Sequence, residues 1–314
     1  MIETTSVLTP EWPILRITGP DAATWLNGIV TCDVTRVVPE RGEWGLLLTK
    51  TGKIAAELLV LGRSDDLWVC VCGGDAARVR ETLDHYLVME DAELRDAPEL
   101  GALVLIGPQA AARGHAVSQG PKEPDSTEVF SALPWAEGLA VARILPKASL
   151  ATGREQLVAA GASPLDGFPA ELRFALGLPS YGVDYGEKDN PHEAALERRA
   201  VSWSKGCYLG QEVVCMQDMR GKVKRRLVRL DLLDLVDGAD GAGASDSSGA
   251  EPSGWEQGSA VLGPAGESAG ELRSVAPSSA LAMLGAPWFE PGTQVTVSGR
   301  TARVASLTAE RAAE

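Results

Sequence analysis

The stretch SWSKGCYLGQEVV, residues 202–214, decides how this chain is read. Cys207 stands between Gly206 and Tyr208, two residues after Lys205, and Gly210 opens a run that turns from polar to apolar. Val201 to Trp203 has the composition of a strand end, and Tyr208 to Met219 reads as a helix. Cys207 is then expected near a helix N-terminus. Unpaired amide groups and the helix dipole favour an anion there. Lys205 adds a positive charge, and both effects favour a thiolate. A second reading stands beside this one. Cysteine is among the most buried residue types, and Cys207 also suits a small core position at a helix start.

Upstream, Ile14 to Ile17 predict a short strand and Ala22 to Ile29 a helix, with Ala22, Trp25, Leu26 and Ile29 at helical spacing. Leu46 to Leu48 and Ile54 to Leu61 flank Lys50-Thr51-Gly52-Lys53, a hairpin signal. Arg63 to Asp66 make a second turn before a strand in which Leu67, Val69 and Val71 face one way and Trp68, Cys70 and Cys72 the other. A helix over 75–88 and a strand in EDAELRDA complete a compact α+β unit. LVLIGP is another strand, 118–128 a polar loop, 149–160 a helix, and 169–176 a further helix with Gly177 as its C-cap. Downstream, LVRLDLL and five short alternating runs predict a small antiparallel β-barrel. Residues 236–259, rich in Gly, Ala, Ser and Asp, read as a flexible, enlarged hairpin loop within that barrel.

The 314 residues suit two or three domains, and the 45% hydrophobic and 23% charged content is that of a globular protein. A net charge of −14 repels phosphate backbones at long range, which argues against general nucleic-acid binding but leaves room for a local basic patch. The five cysteines are odd in number and lack a CxxC pair, and only three histidines are present. Neither a disulfide framework nor a metal centre is expected. The start MIETTSVLTPEWPIL has no basic segment followed by an apolar core, so a cytoplasmic location is expected.

KGCYLGQE, Lys205 to Glu212, resembles the signature K-G-C-Y-x-G-Q-E of the YgfZ-type folate-binding proteins, relatives of the glycine-cleavage T-protein. RFALGLPSYGVDYGEKDNPHEAAL is similar to that superfamily's R-x-x-x-G-x-P-x-Y-G-x-D followed by P-x-E, with Arg173, Gly177, Pro179, Tyr181, Gly182, Asp184, Pro191 and Glu193 in the fixed places. ITGPDAATWLNGIVTCDV resembles the family's opening, so the likeness covers nearly the whole chain. It implies an α+β, three-domain clover-leaf T-protein-like fold around a channel for folate. A discontinuous folate-binding domain would hold residues 1–44 and 101–225, a ferredoxin-like domain 45–100, and a C-terminal antiparallel β-barrel 226–314.

The resemblance also implies function: a tetrahydrofolate-binding accessory protein for assembly or repair of iron–sulfur proteins, including tRNA-modifying iron–sulfur enzymes. Cys207 and Lys205 would be the catalytic pair. The cofactor, tetrahydrofolate or a one-carbon-substituted folate, would be held by Glu193, Tyr181, Tyr208, Gln211 and Arg173. Glu193 would accept two hydrogen bonds from the pterin edge. Set against that, Glu193 reads as a helix-start glutamate after Pro191, and both tyrosines also suit core packing. Arg220 to Arg229 is a dense basic run that could meet a polyglutamate tail, tRNA or a partner, or form a solvated strand edge. A monomer with iron–sulfur clients and no membrane partner is expected.

Two alternatives stand beside this function. One is a folate-dependent aminomethyltransferase or demethylase. The T-protein's carboxylates in its hairpin correspond here to Ala56 and Glu57, so one is lost, and neighbours in a strand face opposite sides. The other is a non-catalytic scaffold without folate.

Overall fold

The computed structural model describes residues 4–63, 66–118, 129–133, 139–233 and 254–307. Of the predicted loop at 118–128, Ser118 ends a helix and 119–128 lie outside the described residues, as do 236–253 of the loop at 236–259. The chain divides into two compact units, residues 1–168 with 199–213, and residues 169–198 with 214–314.

In the first unit, in chain order, lie β1 (Ser6–Leu8), β2 (Ile14–Thr18), α1 (Ala22–Asn27), β3 (Glu40–Arg41), β4 (Glu43–Leu48), β5 (Ile54–Arg63), β6 (Asp66–Gly74), α2 (Ala76–His85), β7 (Glu93–Asp96), β8 (Leu100–Ile106), α3 (Ala110–Ser118), β9 (Val129–Ala132), β10 (Ala140–Pro146), α4 (Leu150–Ala159) and β11 (Ser163–Pro164). One antiparallel sheet has the order β4-β5-β6-β2-β7. Its Leu15, Ile17, Leu58, Val60, Leu67, Val69 and Val71 form one core with Trp25 and Leu26 of α1 and Val79 and Leu83 of α2. Asp75 caps α2 by accepting from the amides of Ala77 and Arg78. Trp68 and Cys70, on the opposite face, are buried too, so this sheet has no solvated side. It takes in Ile14–Thr18, so it reaches beyond the 45–100 range expected of the ferredoxin-like part: β2 pairs with both β6 and β7.

The other sheet runs β11-β1-β8-β10-β9-β3, with parallel pairs at its two ends. Val7, Leu103, Leu105, Val141 and Leu145 meet Ala110 of α3 and Leu157 of α4 in its core.

The second unit contains α5 (Ala170–Leu176), most of α6 (Gln211–Arg220), and β12 (Arg225–Leu232), β13 (Ala260–Leu262), β14 (Ser268–Val275), β15 (Ser279–Gly285), β16 (Gln294–Val297) and β17 (Arg300–Ala305). These strands close into a barrel, β12-β15-β14-β13-β16-β17. Alternate residues fill it, including Val228, Leu230 and Leu232, then Ala280, Ala282 and Leu284, then Val295 and Val297. Leu227, Leu281 and Met283 point the other way, onto Phe174 of α5 and Leu307. The fold is thus α+β with a closed antiparallel barrel. One expectation fails: residues 233–259 do not connect a hairpin. β12 pairs with β15 and β17, and β13 with β14 and β16, so the two strands joined by this segment are not neighbours.

Candidate functional site

Residues 199–213 return to the first unit and are stitched to its opening segment. Thr31, fully buried, donates from Oγ1 to the Ala200 carbonyl at 2.5 Å and accepts there from the Leu46 amide at 2.7 Å. Its own carbonyl accepts from the Ser202 amide at 2.9 Å. This contact replaces the strand expected at 201–203, where no strand forms.

Lys205 then inserts its ammonium among three backbone carbonyls, those of Asn27 at 2.6 Å, Val30 at 2.8 Å and Cys32 at 2.7 Å. Asn27 ends α1, where carbonyls lack intrahelical partners and a cation is favoured. All three ammonium donors are thereby used, and the Tyr208 ring lies 5.4 Å from Nζ. Burial draws the Lys205 pKa down to about 8, against the opposing pull of Cys32 and Asp33. Burial pushes Cys32 up to about 12 in spite of Lys205 nearby.

The far end of this segment is fixed by close backbone approach. Gly210 has φ +78°, and a Cβ there would sit 2.5 Å from the Thr49 oxygen. Gly52, at φ +70° in the β4–β5 turn, would meet Val213 Cβ at 2.8 Å. Residues 205–210 therefore form an arch pinned at both ends. Tyr208 points inward and is buried, and its amide donates to Gln211 Oε1 at 3.3 Å. Cys207 is exposed between the pins, which excludes the reading of it as a core residue. The arrangement expected to activate it is not the one formed. Helix α6 starts four residues later, at Gln211, and the Lys205 donors are taken up by carbonyls.

In the second unit, Arg173 donates to Asp184 Oδ2 at 2.6 Å, and that carboxylate also accepts from the Ser180 amide at 2.7 Å and from Ser274 Oγ at 2.5 Å. Asp184 is fully buried. The arginine and aspartate of the R-x-x-x-G-x-P-x-Y-G-x-D pattern thus tie α5 to barrel strand β14, with Gly177 in the left-handed conformation ending the helix. Glu193 and Asn190 cap one another: the Asn190 amide donates to Glu193 Oε2 at 3.0 Å and the Glu193 amide to Asn190 Oδ1 at 2.9 Å. Arg225 Nε lies 3.5 Å from Glu193 Oε1, and the Leu227 amide donates to the Glu193 carbonyl at 2.7 Å. Tyr181 is half-buried, edge-on to Tyr185 with centroids 5.6 Å apart.

The hairpin carboxylate positions are also fixed. Ala56 is in the helix-covered core. Glu57 accepts from Trp44 Nε1 at 3.0 Å. Among the described residues, no group of three or more His, Cys, Asp or Glu is placed to hold a metal ion, and no helix is long and apolar enough to cross a membrane.

Sequence reasoning placed Lys205, Cys207, Tyr208 and Gln211 in one segment but gave Thr31 no role, although it stands in the opening motif. It also passed over Trp203, 46% exposed just before the arch, because the residue fell in an expected strand.

Residues 13–131 match the GCVT N-terminal domain family. The chain is 25% identical to an aminomethyltransferase of Herpetosiphon aurantiacus over 69% of its own length and 63% of that protein. It is 25% identical to the tRNA-modifying protein YgfZ of Yersinia enterocolitica, over 69% of this chain and 68% of that one. It is 23% identical to a mitochondrial iron–sulfur cluster assembly factor homologue of Chaetomium globosum, over 68% of this chain and 53% of that one. The matched stretch spans less than two thirds of the aminomethyltransferase and about half of the Chaetomium protein. The crystal structure of glycine cleavage system aminomethyltransferase T from Bartonella henselae shares the fold, with TM-score 0.78 over 98% of this chain and 86% of that one at 18% identity. Residues 13–131 thus match the GCVT N-terminal domain, the chain is similar in sequence both to aminomethyltransferases and to YgfZ, and its fold is that of the T-protein.

Proposed function

We propose that the chain is a tetrahydrofolate-binding accessory factor for the assembly or repair of iron–sulfur proteins, with Cys207 as its functional thiol. The observation that carries this reading is the pinned arch. An exposed cysteine is held on a segment fixed at both ends, in a chain whose hairpin has Ala56 in the core and Glu57 bonded to Trp44. A thiol so presented is open to a client protein. A carboxylate free for aminomethyl transfer is missing from its place. The curated relatives support the coarse role, through both the iron–sulfur assembly factor and YgfZ.

On this reading Glu193 receives the pterin edge. Its carboxylate is oriented by the Asn190 amide and by the Arg225 guanidinium. Tyr181 supplies a half-buried ring for a flat ligand. Arg173 acts indirectly, by holding Asp184 and the 180–184 turn, while Tyr208 and Gln211 hold the arch.

The test is calorimetry with folinic acid. Binding is expected for the wild type and weakened about tenfold or more in Glu193→Ala, the loss of charge-assisted hydrogen bonds. Cys207→Ser should bind folinic acid normally yet fail to restore client activity in a deletion strain. No heat with the wild type overturns the folate role, and full restoration by Cys207→Ser overturns the thiol role.

A further inference from the structure

The basic run at 220–229 is not one feature but two. Its C-terminal half is neutralised inside the unit: Arg225 pairs with Asp189 at 2.8 Å, Arg226 with Glu197 at 2.7 Å, and Arg229 with Asp231 at 2.9 Å. Its N-terminal half is not. Arg220, Lys222 and Lys224 are exposed and form no ion pair among the described residues. These three stand at the lip of a cavity of about 1050 Å³ on the barrel, whose lining includes Leu227, Phe289 and Leu307. Glu290 is the one carboxylate in that lining.

In a chain of net charge −14, three uncompensated cations around an apolar floor call for a ligand that carries both negative charge and a flat apolar part. An inorganic anion would satisfy the lip and leave the floor wet. A chain of carboxylates, such as a glutamyl tail, has no flat apolar part for Phe289. An unpaired nucleic-acid strand has both, since its phosphates meet cations while its bases stack on aromatic and apolar side chains. A duplex keeps its bases inside and offers only the phosphates.

We propose that this cavity docks an unpaired nucleic-acid strand, with Arg220, Lys222 and Lys224 on the phosphates and Phe289 under a base. The acidic remainder of the molecule confines the attraction to short range, so binding is weak and steeply dependent on salt. The proposal does not rest on folate: it concerns a different set of side chains and is read by a different measurement.

The experiment is fluorescence anisotropy of labelled unpaired RNA and DNA oligonucleotides of the same pyrimidine sequence, titrated with the full chain between about 50 and 200 mM salt. Three phosphate contacts predict a slope of log K against log salt of about −2 for a single strand. The double substitution Lys222→Glu with Lys224→Glu is expected to flatten the slope to about −0.7 or less and to weaken binding more than tenfold at the lowest salt. Lys147→Glu, an exposed change in the first unit, should leave both unchanged. Phe289→Leu should weaken binding about fivefold or more with the slope kept, as loss of one stacked base requires. Comparable melting temperatures for all variants show that the fold is intact. RNA bound better than DNA identifies RNA as the source, and equal binding leaves the strand itself as the ligand. The proposal is overturned by no binding of either strand at the lowest salt, by a double variant that behaves as wild type, by a duplex that binds equally well, or by oligoglutamate that displaces the strand at equal charge concentration.

Discussion

Lys205 was expected to act on its neighbour Cys207, and it acts instead on residues more than 170 positions away. Motif spacing shows which side chains travel together but not where each one reaches. Three part-buried carbonyl contacts depend on the ammonium, so Lys205→Met should cost about 2 to 4 kcal/mol of stability at neutral pH, read by urea unfolding. The pH dependence has a definite sign. With its folded pKa drawn down to about 8, Lys205 sheds its proton in the native state before the unfolded chain does. Stability due to Lys205 therefore rises from about pH 8 towards about 10.4, a rise the methionine variant lacks. Cys32 and Cys70, both pushed up to about 12 by burial, work in reverse. Their contribution is complete below about pH 9, where unfolded thiols begin to ionise, and is lost as pH climbs towards 12. Wild-type unfolding midpoints should fall across that upper window, and less steeply once Cys32 and Cys70 are replaced by alanine.

At the scale of elements, the two ends of the arch separate two kinds of glycine. Gly210→Ala puts a Cβ against the Thr49 oxygen in a left-handed backbone, while Gly206→Ala points a methyl into open space. The first should cost about 1 to 3 kcal/mol and speed amide exchange in residues 205–213, and the second should change neither by a measurable amount. Period-two patterning made the barrel strands legible, because alternate residues fill a closed interior. It could not say which strand pairs with which, so the segment after β12 was misread as a hairpin. Helix α6 was placed about one turn too early, because Tyr208 to Gly210 has helix-compatible composition while Gly210 takes φ +78°. Glycine is the residue least able to announce its own conformation.

At the scale of the whole molecule, resemblance supplied the fold and the motif residues, whereas the partners of those residues came only from three-dimensional contact. Arg173 illustrates the difference. Its place in the pattern suggested a ligand contact, and its guanidinium is spent on the buried Asp184. Ala56 in place of one hairpin carboxylate has a consequence for the protein as an enzyme. With saturating folate and an aminomethyl donor, no methylene-tetrahydrofolate should form above background, and Ala56→Asp should not restore it while Glu57 stays bonded to Trp44. Sustained turnover by the wild type would favour the transferase reading. One further property belongs to the ring in which β12 meets both β15 and β17. A ladder that returns on itself has no outermost member, and so offers no row of unclaimed amides to a second copy. Crowded solutions should therefore find no template in this module for strand-by-strand growth of fibrils.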